Sequence, residues 1–188
     1  LLCVVLLSST NLLAETYYSQ GNGLVNSPSN WNTLTGGGGA TPIDFTGAHT
    51  WIIRSEDEMT MSADWIVGGI ADVVINGGLI VSSIHLVAIT GTLTVNGYLI
   101  NTGTHLLDAV TATGGITVNG TYEHARDGGN ALRALWEDGS LCLVTGWTST
   151  STLNSSFDQT FYNFTWSCPG QTDLISFAGY VTPVTGTF

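Results

Sequence analysis

Apolar and polar residues alternate along most of this chain, in short runs broken by Gly, Asn, Asp and Thr. Period-two alternation puts one side of an extended segment inside and the other outside, so these runs predict β-strands. No long stretch carries helical periodicity; residues 130–137 read as a single turn of helix at most. One pattern repeats. Val73-Val74-Ile75-Asn76-Gly77 returns as Leu93-Thr94-Val95-Asn96-Gly97 and again as Ile116-Thr117-Val118-Asn119-Gly120, with the Asn residues 20 and 23 positions apart. After each Asn-Gly the apolar pattern resumes, at Leu79-Ile80-Val81, Leu99-Ile100 and Thr121-Tyr122.

Two architectures use such a pattern. A near-constant period suits a solenoid, in which each coil must return to the same place before stacking on the last. Asn-Gly between alternating strands is equally the strongest short hairpin signal, and hairpins in series build an antiparallel, immunoglobulin-like β-sandwich. The near-identity of the units favours coils, as does the second apolar run between corners (residues 84–89 and 106–110). The expectation is therefore all-β, a right-handed β-helix-like stack, with the sandwich as the alternative. In that reading Asn76, Gly77, Asn96, Gly97, Asn119 and Gly120 are the corner residues, chosen for their tolerance of positive φ.

The chain then divides into five parts. Residues 1–14 open with an apolar run (residues 1–7) that resembles a truncated secretory signal with Ala14 before its cut. The other reading is a retained strand that pairs with another subunit's sheet edge. Residues 15–48 are loop-rich, with glycine at positions 36 to 39; residues 49–122 hold the coils; 123–139 form a polar insert; 140–188 carry further strands. Those last strands are expected at 140–147, 159–167 and 174–181.

Composition narrows the partners. Three Lys+Arg, all Arg, stand against 14 Asp+Glu, and the net charge is −11. Nucleic acid and anionic membrane surfaces both require basic stripes, so neither is an expected partner. With 43% hydrophobic residues the chain has enough apolar surface to fold. Without Cys3, export leaves Cys142 and Cys168, either as a disulfide or as two buried thiols; neither has metal-site spacing.

Candidate chemistry is sparse. Glu123, His124, Arg126 and Asp127 form the one cluster that offers a base and a cation together, and Glu123 with Asp127 or Glu137 with Asp138 are the carboxylate pairs a glycosidase would need. Adjacent strand positions such as Glu137 and Asp138 face opposite ways, and the bland reading is a solvated loop. Glu56-Asp57-Glu58 offers oxygens to calcium, and no other cofactor is expected, but it lacks the spacing of a dedicated loop; a charged turn is the plainer reading. His49, His85, His105 and His124 show no metal-site spacing, although His85 and His105 are one repeat apart and would stack. Tyr17, Tyr18 and Trp31 lie where exposed rings could stack on sugars, which makes them the candidate glycan platform. Trp51, Trp65, Trp147 and Trp166 fall in strand-like runs and are expected in the core.

Taken together, Tyr17-Tyr18, Asn30-Trp31-Asn32, the Val-Asn-Gly runs, the block from Thr121 through Asp127-Gly128-Gly129, Trp136 and Cys142 to Gly146, and Phe161-Tyr162-Asn163-Phe164-Thr165-Trp166 with Cys168-Pro169 resemble a known class. They are similar to the Gly/Thr/Asn-rich β-solenoid regions of surface proteins exported by Gram-negative bacteria through the type IX route. The resemblance implies an extracellular, adhesive or structural role and carries over no catalytic residue. The expected function is non-enzymatic: a secreted module of an adhesin or self-assembling fibre, whose partners are copies of itself, neighbouring modules of a longer chain, or glycans. The low charge supports this, since a β-rich chain without Lys has little defence against edge pairing.

Overall fold

The apolar runs that precede each Asn-Gly lie one above another, in register. In the computed structural model, which describes residues 13–82, 84–104, 109–149, 152–177, 179–181 and 183–188, Val73 pairs with Leu93 and Ile75 with Val95, and Ile116 and Val118 continue the same columns. The pairings are parallel, and the chain is a β-solenoid of about five turns. The sandwich fails because each Asn-Gly corner turns the chain onto a different sheet and not back along the same one.

The coils follow in chain order. A base of β1 (Thr16–Ser19) and β2 (Trp31–Asn32) precedes the first coil, β3 (Thr50–Ile53), β4 (Glu58–Met59) and β5 (Trp65–Val67). The second is β6 (Asp72–Ile75), β7 (Gly78–Val81) and β8 (Val87–Ile89), and the third is β9 (Leu93–Val95), β10 (Tyr98–Asn101) and β11 (Val110–Ala112). Above these lie β12 (Ile116–Val118) with β13 (Thr121–His124), then β14 (Leu135–Trp136) with β15 (Leu141–Val144), and finally β16 (Asn163–Trp166). The first strand of each coil joins one sheet, ordered β14-β12-β9-β6-β3-β1-β2; the second joins another, β16-β15-β13-β10-β7-β4. Among the described residues the third face holds only β11-β8-β5.

Stacking in register makes the core a set of columns. On the first sheet Ile53, Ile75, Val95, Val118 and Trp136 succeed one another inward. On the second, Met59, Leu79, Leu99, Tyr122, Cys142 and Phe164 do the same. All of these are buried, and each removes apolar area worth roughly 25 cal/mol per Å² from water. The column next to the second one is Val81, Asn101, His124, Val144 and Trp166, so two polar side chains interrupt an otherwise apolar stripe.

Several expectations change. Residues 135–136 are a strand of the first sheet and not a turn of helix, because Leu135 pairs with Thr117 and Trp136 with Val118. The coils extend on both sides of 49–122: β1 lies beneath β3, and the second sheet continues through β15 and β16. The described residues within 174–181 form no named strand; Ser176 makes an isolated bridge to Thr152. Residues 1–7, with Cys3, and the start of the run 106–110 lie outside the described residues.

β2 is antiparallel to β1, unlike every other named pairing, with Tyr18 opposite Asn32. It covers the outer edge of the first sheet. An uncovered edge is a template for pairing with another chain, and this short reversed strand blunts it.

Candidate functional site

The Asn-Gly corners are the most regular feature of the surface. Asn96 Nδ2 donates to Asn76 Oδ1, and Asn119 Nδ2 donates to Asn96 Oδ1, each at 2.8 Å. The backbone N–H groups of Asn96 and Gly97 both donate to the Ile75 carbonyl, at 2.8 and 2.9 Å, and Asn119 and Gly120 repeat this on Val95 at 2.8 and 3.0 Å. The glycines are required by close approach, and not by positive φ as expected, since none of these six residues has φ above zero. A Cβ on Gly97 would sit 2.0 Å from the Gly77 carbonyl oxygen, and one on Gly120 would sit 2.0 Å from that of Gly97. Backbone cannot yield there as a flexible side chain could.

Below this ladder the corner is longer. Residues 54–57 separate β3 from β4, where two residues suffice in the next three coils. Asp57, only 5% exposed, accepts hydrogen bonds from Ser19 Oγ, from Gly21 N at 3.2 Å and from Arg54 Nε at 3.0 Å and Nη2 at 3.2 Å. Burial works against its charge, but the bonds from Ser19, Arg54 and Gly21 and the Arg54 charge win, and its carboxyl titrates below the usual range. Glu56 pairs with Arg54 Nη1 at 3.0 Å, while Glu58 accepts from the Tyr98 hydroxyl. The Tyr98 ring lies over Gly78, where a Cβ would come within 2.2 Å of it. Arg54 takes up Glu56 and Asp57 while Tyr98 takes up Glu58, and among the described residues no three carboxylates converge on a common centre for calcium.

The proposed glycan platform is taken apart by burial. Trp31 is fully buried and donates its indole N–H to Val25 O at 2.9 Å. Tyr17 is also buried, stacked on Trp51 with ring centroids 4.8 Å apart, and Trp31 stacks on Trp65 at 5.7 Å. Burial, with the hydrogen bond to Glu15, pushes the Tyr17 hydroxyl up to about 12. These rings pack together at the β1 end of the described coils. Tyr18 points outward and is half-buried. Trp51, Trp65 and Trp147 are core residues as expected, whereas Trp166 is only partly buried.

The cluster at Glu123 to Asp127 is drawn into the architecture. Glu123 accepts from Thr145 Oγ1 at 2.6 Å, one coil above. Asp127 accepts from Thr148 N at 2.8 Å and Ser149 Oγ at 2.7 Å. His124 is fully buried; its Nδ1 meets the Tyr122 hydroxyl at 3.1 Å, and its Nε2 meets Gly128 O at 2.9 Å. Burial holds its imidazole neutral, pulling the pKa down to about 4. A bond to a carbonyl makes Nε2 the donor and leaves Nδ1 as the acceptor from Tyr122. Glu137 and Asp138 lie exposed in the corner after β14. Of the other histidines, His85 pairs with Asp64 at 3.6 Å, and the proposed stack on His105 lies outside the described residues.

Cys142 and Cys168 are free thiols, Cys142 buried and Cys168 only half-buried, so the structure has neither the disulfide nor a pair of buried thiols. Cys142 occupies the inner column of β15, and Cys168, half-buried, donates to Val144 O at 3.4 Å. Burial raises both thiol pKa values, which keeps them protonated and unreactive.

Asn101 belongs to none of the motifs read from the sequence. It is nearly buried, and its Oδ1 accepts from Gly103 N at 3.1 Å. Asn in the inward register of an apolar strand was the available signal. Beside it opens a cavity of about 190 Å³ between β11 and the segment 130–133. Comparisons with models of protein families, with curated proteins and with solved structures find no match to this chain.

Proposed function

We propose that this chain is a non-catalytic structural module, a β-solenoid rod exported to an extracellular surface, where it serves as an adhesin segment or a fibre subunit. One observation carries the reading: the side chains best suited to chemistry act as ties between coils. Glu123 braces Thr145, Asp127 braces the backbone at residues 148 and 149, Asp57 joins Ser19 to Arg54, and Glu58 holds Tyr98. A general base needs an accessible lone pair near neutral pH, and the His124 imidazole has neither solvent access nor a matching pKa. The resemblance to type IX surface proteins points the same way, through architecture alone.

The capped base also directs how such a rod would associate. Stacking of copies on the β1 side is opposed by β2 and the aromatic seal. Side-to-side contact remains, with Ile66 on β5 of the third face and Ile70 and Ile84 in the turns that adjoin β5 and β8, all more than half exposed. Light scattering after size exclusion, with negative-stain imaging of the full chain, tests the reading. Concentration-dependent oligomers or fibres that weaken in Ile66→Lys are expected. A monomer at all concentrations would overturn self-assembly, and turnover of any polysaccharide abolished by Glu123→Gln would overturn the non-catalytic reading.

A further inference from the structure

The regular three-strand coil stops above β11. After β13 the chain lays no third-face strand above β11, which is the edge of its sheet. It instead crosses through residues 130–133, fastened from above: Ala131 N donates to Ser156 Oγ at 2.8 Å and Arg133 Nη2 to Ser155 O at 2.7 Å. Because the crossing is tied to the coil above, it stands off from β11. The space left is the cavity of about 190 Å³, room for about six waters at roughly 30 Å³ each.

Its lining has three parts. Val110, Ile116 and Leu132 give aliphatic walls. Asn101 and Tyr122 make a neutral polar floor, held in place by the bonds to Gly103 N and to His124. Arg133 is at the exposed rim and is the only charge among the described lining residues. Arg54 is paired with Glu56 and Asp57, whereas Arg133 has no carboxylate partner among the described residues. In a chain of three cations and 14 acidic residues, that is a placement against the average. A guanidinium has five donors in a planar fork suited to carboxylates.

We propose that this breach in the solenoid binds a small carboxylate, with the acid on Arg133 and a compact body against Val110, Ile116 and Leu132. Two sources share that chemistry: a free aliphatic acid, and a uronate residue of an acidic glycan. The proposal is independent of the structural role above, since a rod can carry a ligand site in its wall.

Hexanoate and glucuronate are the probes, titrated into the full chain to about 20 mM, a range that captures affinities of about 1 mM, and read by saturation-transfer NMR at constant ionic strength. Saturable binding of one acid is expected, with its neutral counterpart (hexanol or glucose) about tenfold weaker or more, the effect of losing a charge-assisted bond. Preference for hexanoate identifies the aliphatic source, and preference for glucuronate the glycan. Arg133→Gln should weaken the acid about tenfold, and Arg133→Lys should weaken it less. Ala112→Phe, which fills the space with Arg133 retained, should also remove binding; circular dichroism on each variant establishes that it folds. Absence of saturation with both acids, equal binding of the neutral counterparts, or binding unchanged in folded Arg133→Gln and Ala112→Phe would each overturn the proposal.

Discussion

The Asn-Gly corners and the segment above β13 solve the same problem in opposite ways. Both must carry the chain around the solenoid and join one coil to the next. The corners do so by repetition, with the same side chain on the same side chain and glycine where backbones nearly touch. Residues 123–134 do so with unlike partners: His124 on Tyr122 and Gly128, Glu123 on Thr145, Asp127 on Thr148. Repetition leaves no space and no buried ionisable group. The irregular solution leaves both, in His124 and in the cavity beside Asn101. In this molecule, departures from the repeat are where a buried titratable side chain and open space occur together.

The largest test strikes the repeat at its tightest point. Gly97→Ala forces a methyl against two backbone oxygens, those of Gly77 at 2.0 Å and Asn76 at 2.4 Å. Denaturant unfolding should show a loss of about 3 kcal/mol or more, in the range of overpacking that backbone cannot relieve. Gly36→Ala is the control, because nothing lies within 4 Å of its Cβ position and its φ is not in the left-handed region; it should be neutral or slightly stabilising.

The irregular region should respond to pH. The His124 pKa is lowered to about 4 in the folded protein, below its unfolded value near 6.5. Above that unfolded value both states are neutral and its contribution is complete. As pH falls toward 4 the unfolded chain takes up a proton that the native state refuses, and about 3 kcal/mol is lost. Stability measured from pH 7 to 4 should fall by this amount, and His124→Gln should flatten that part of the curve while costing stability at pH 7. Asp57 acts lower on the scale: its folded pKa is depressed, so its contribution is present above about 3.9 and is lost as pH falls through the folded value.

Asp57→Ala leaves Ser19, Gly21 and Arg54 without their shared acceptor. Thermal unfolding should report a cost of about 2 kcal/mol, that of a broken, partly buried ion pair and its hydrogen bonds. The smallest effect belongs to the ladder itself. Asn96→Ala removes two side-chain bonds at an exposed position, and about 1 kcal/mol is expected because water replaces much of what is lost. If Asn96→Ala cost more than Gly97→Ala, the corners would be held by their amides and not by close backbone approach, and the comparison would reverse.

Much of the central architecture was legible along the chain. The 20- and 23-residue spacing of Asn76, Asn96 and Asn119 reflects in-register stacking, because a parallel coil must place the same residue type over itself. The alternation of Leu79 with Ile80 and Val81, or of Leu99 with Ile100, marks which side chains enter the columns. Site residues were harder to read. Tyr17 and Trp31 occupy a glycine-rich stretch and resemble an exposed platform, yet they are interior because their rings pack on Trp51 and Trp65 of the first coil, residues far along the chain. Asn101 and Arg133 are separated by 32 positions, and only the missing third-face strand brings them to one cavity.

The sequence alone determined the all-β character, the repeat and the corner residues. Each is a local or periodic property: alternation sets the faces, spacing sets the coil, and Asn with Gly sets the corner. Tertiary structure decided which glycines are indispensable, which aromatics are sealed and which carboxylates are taken by neighbours. The reason lies in the stacking direction. Along the chain a coil is about 20 residues long, but across the stack successive coils are a single strand spacing of about 4.8 Å apart, and contacts made across that gap appear in no local stretch of sequence.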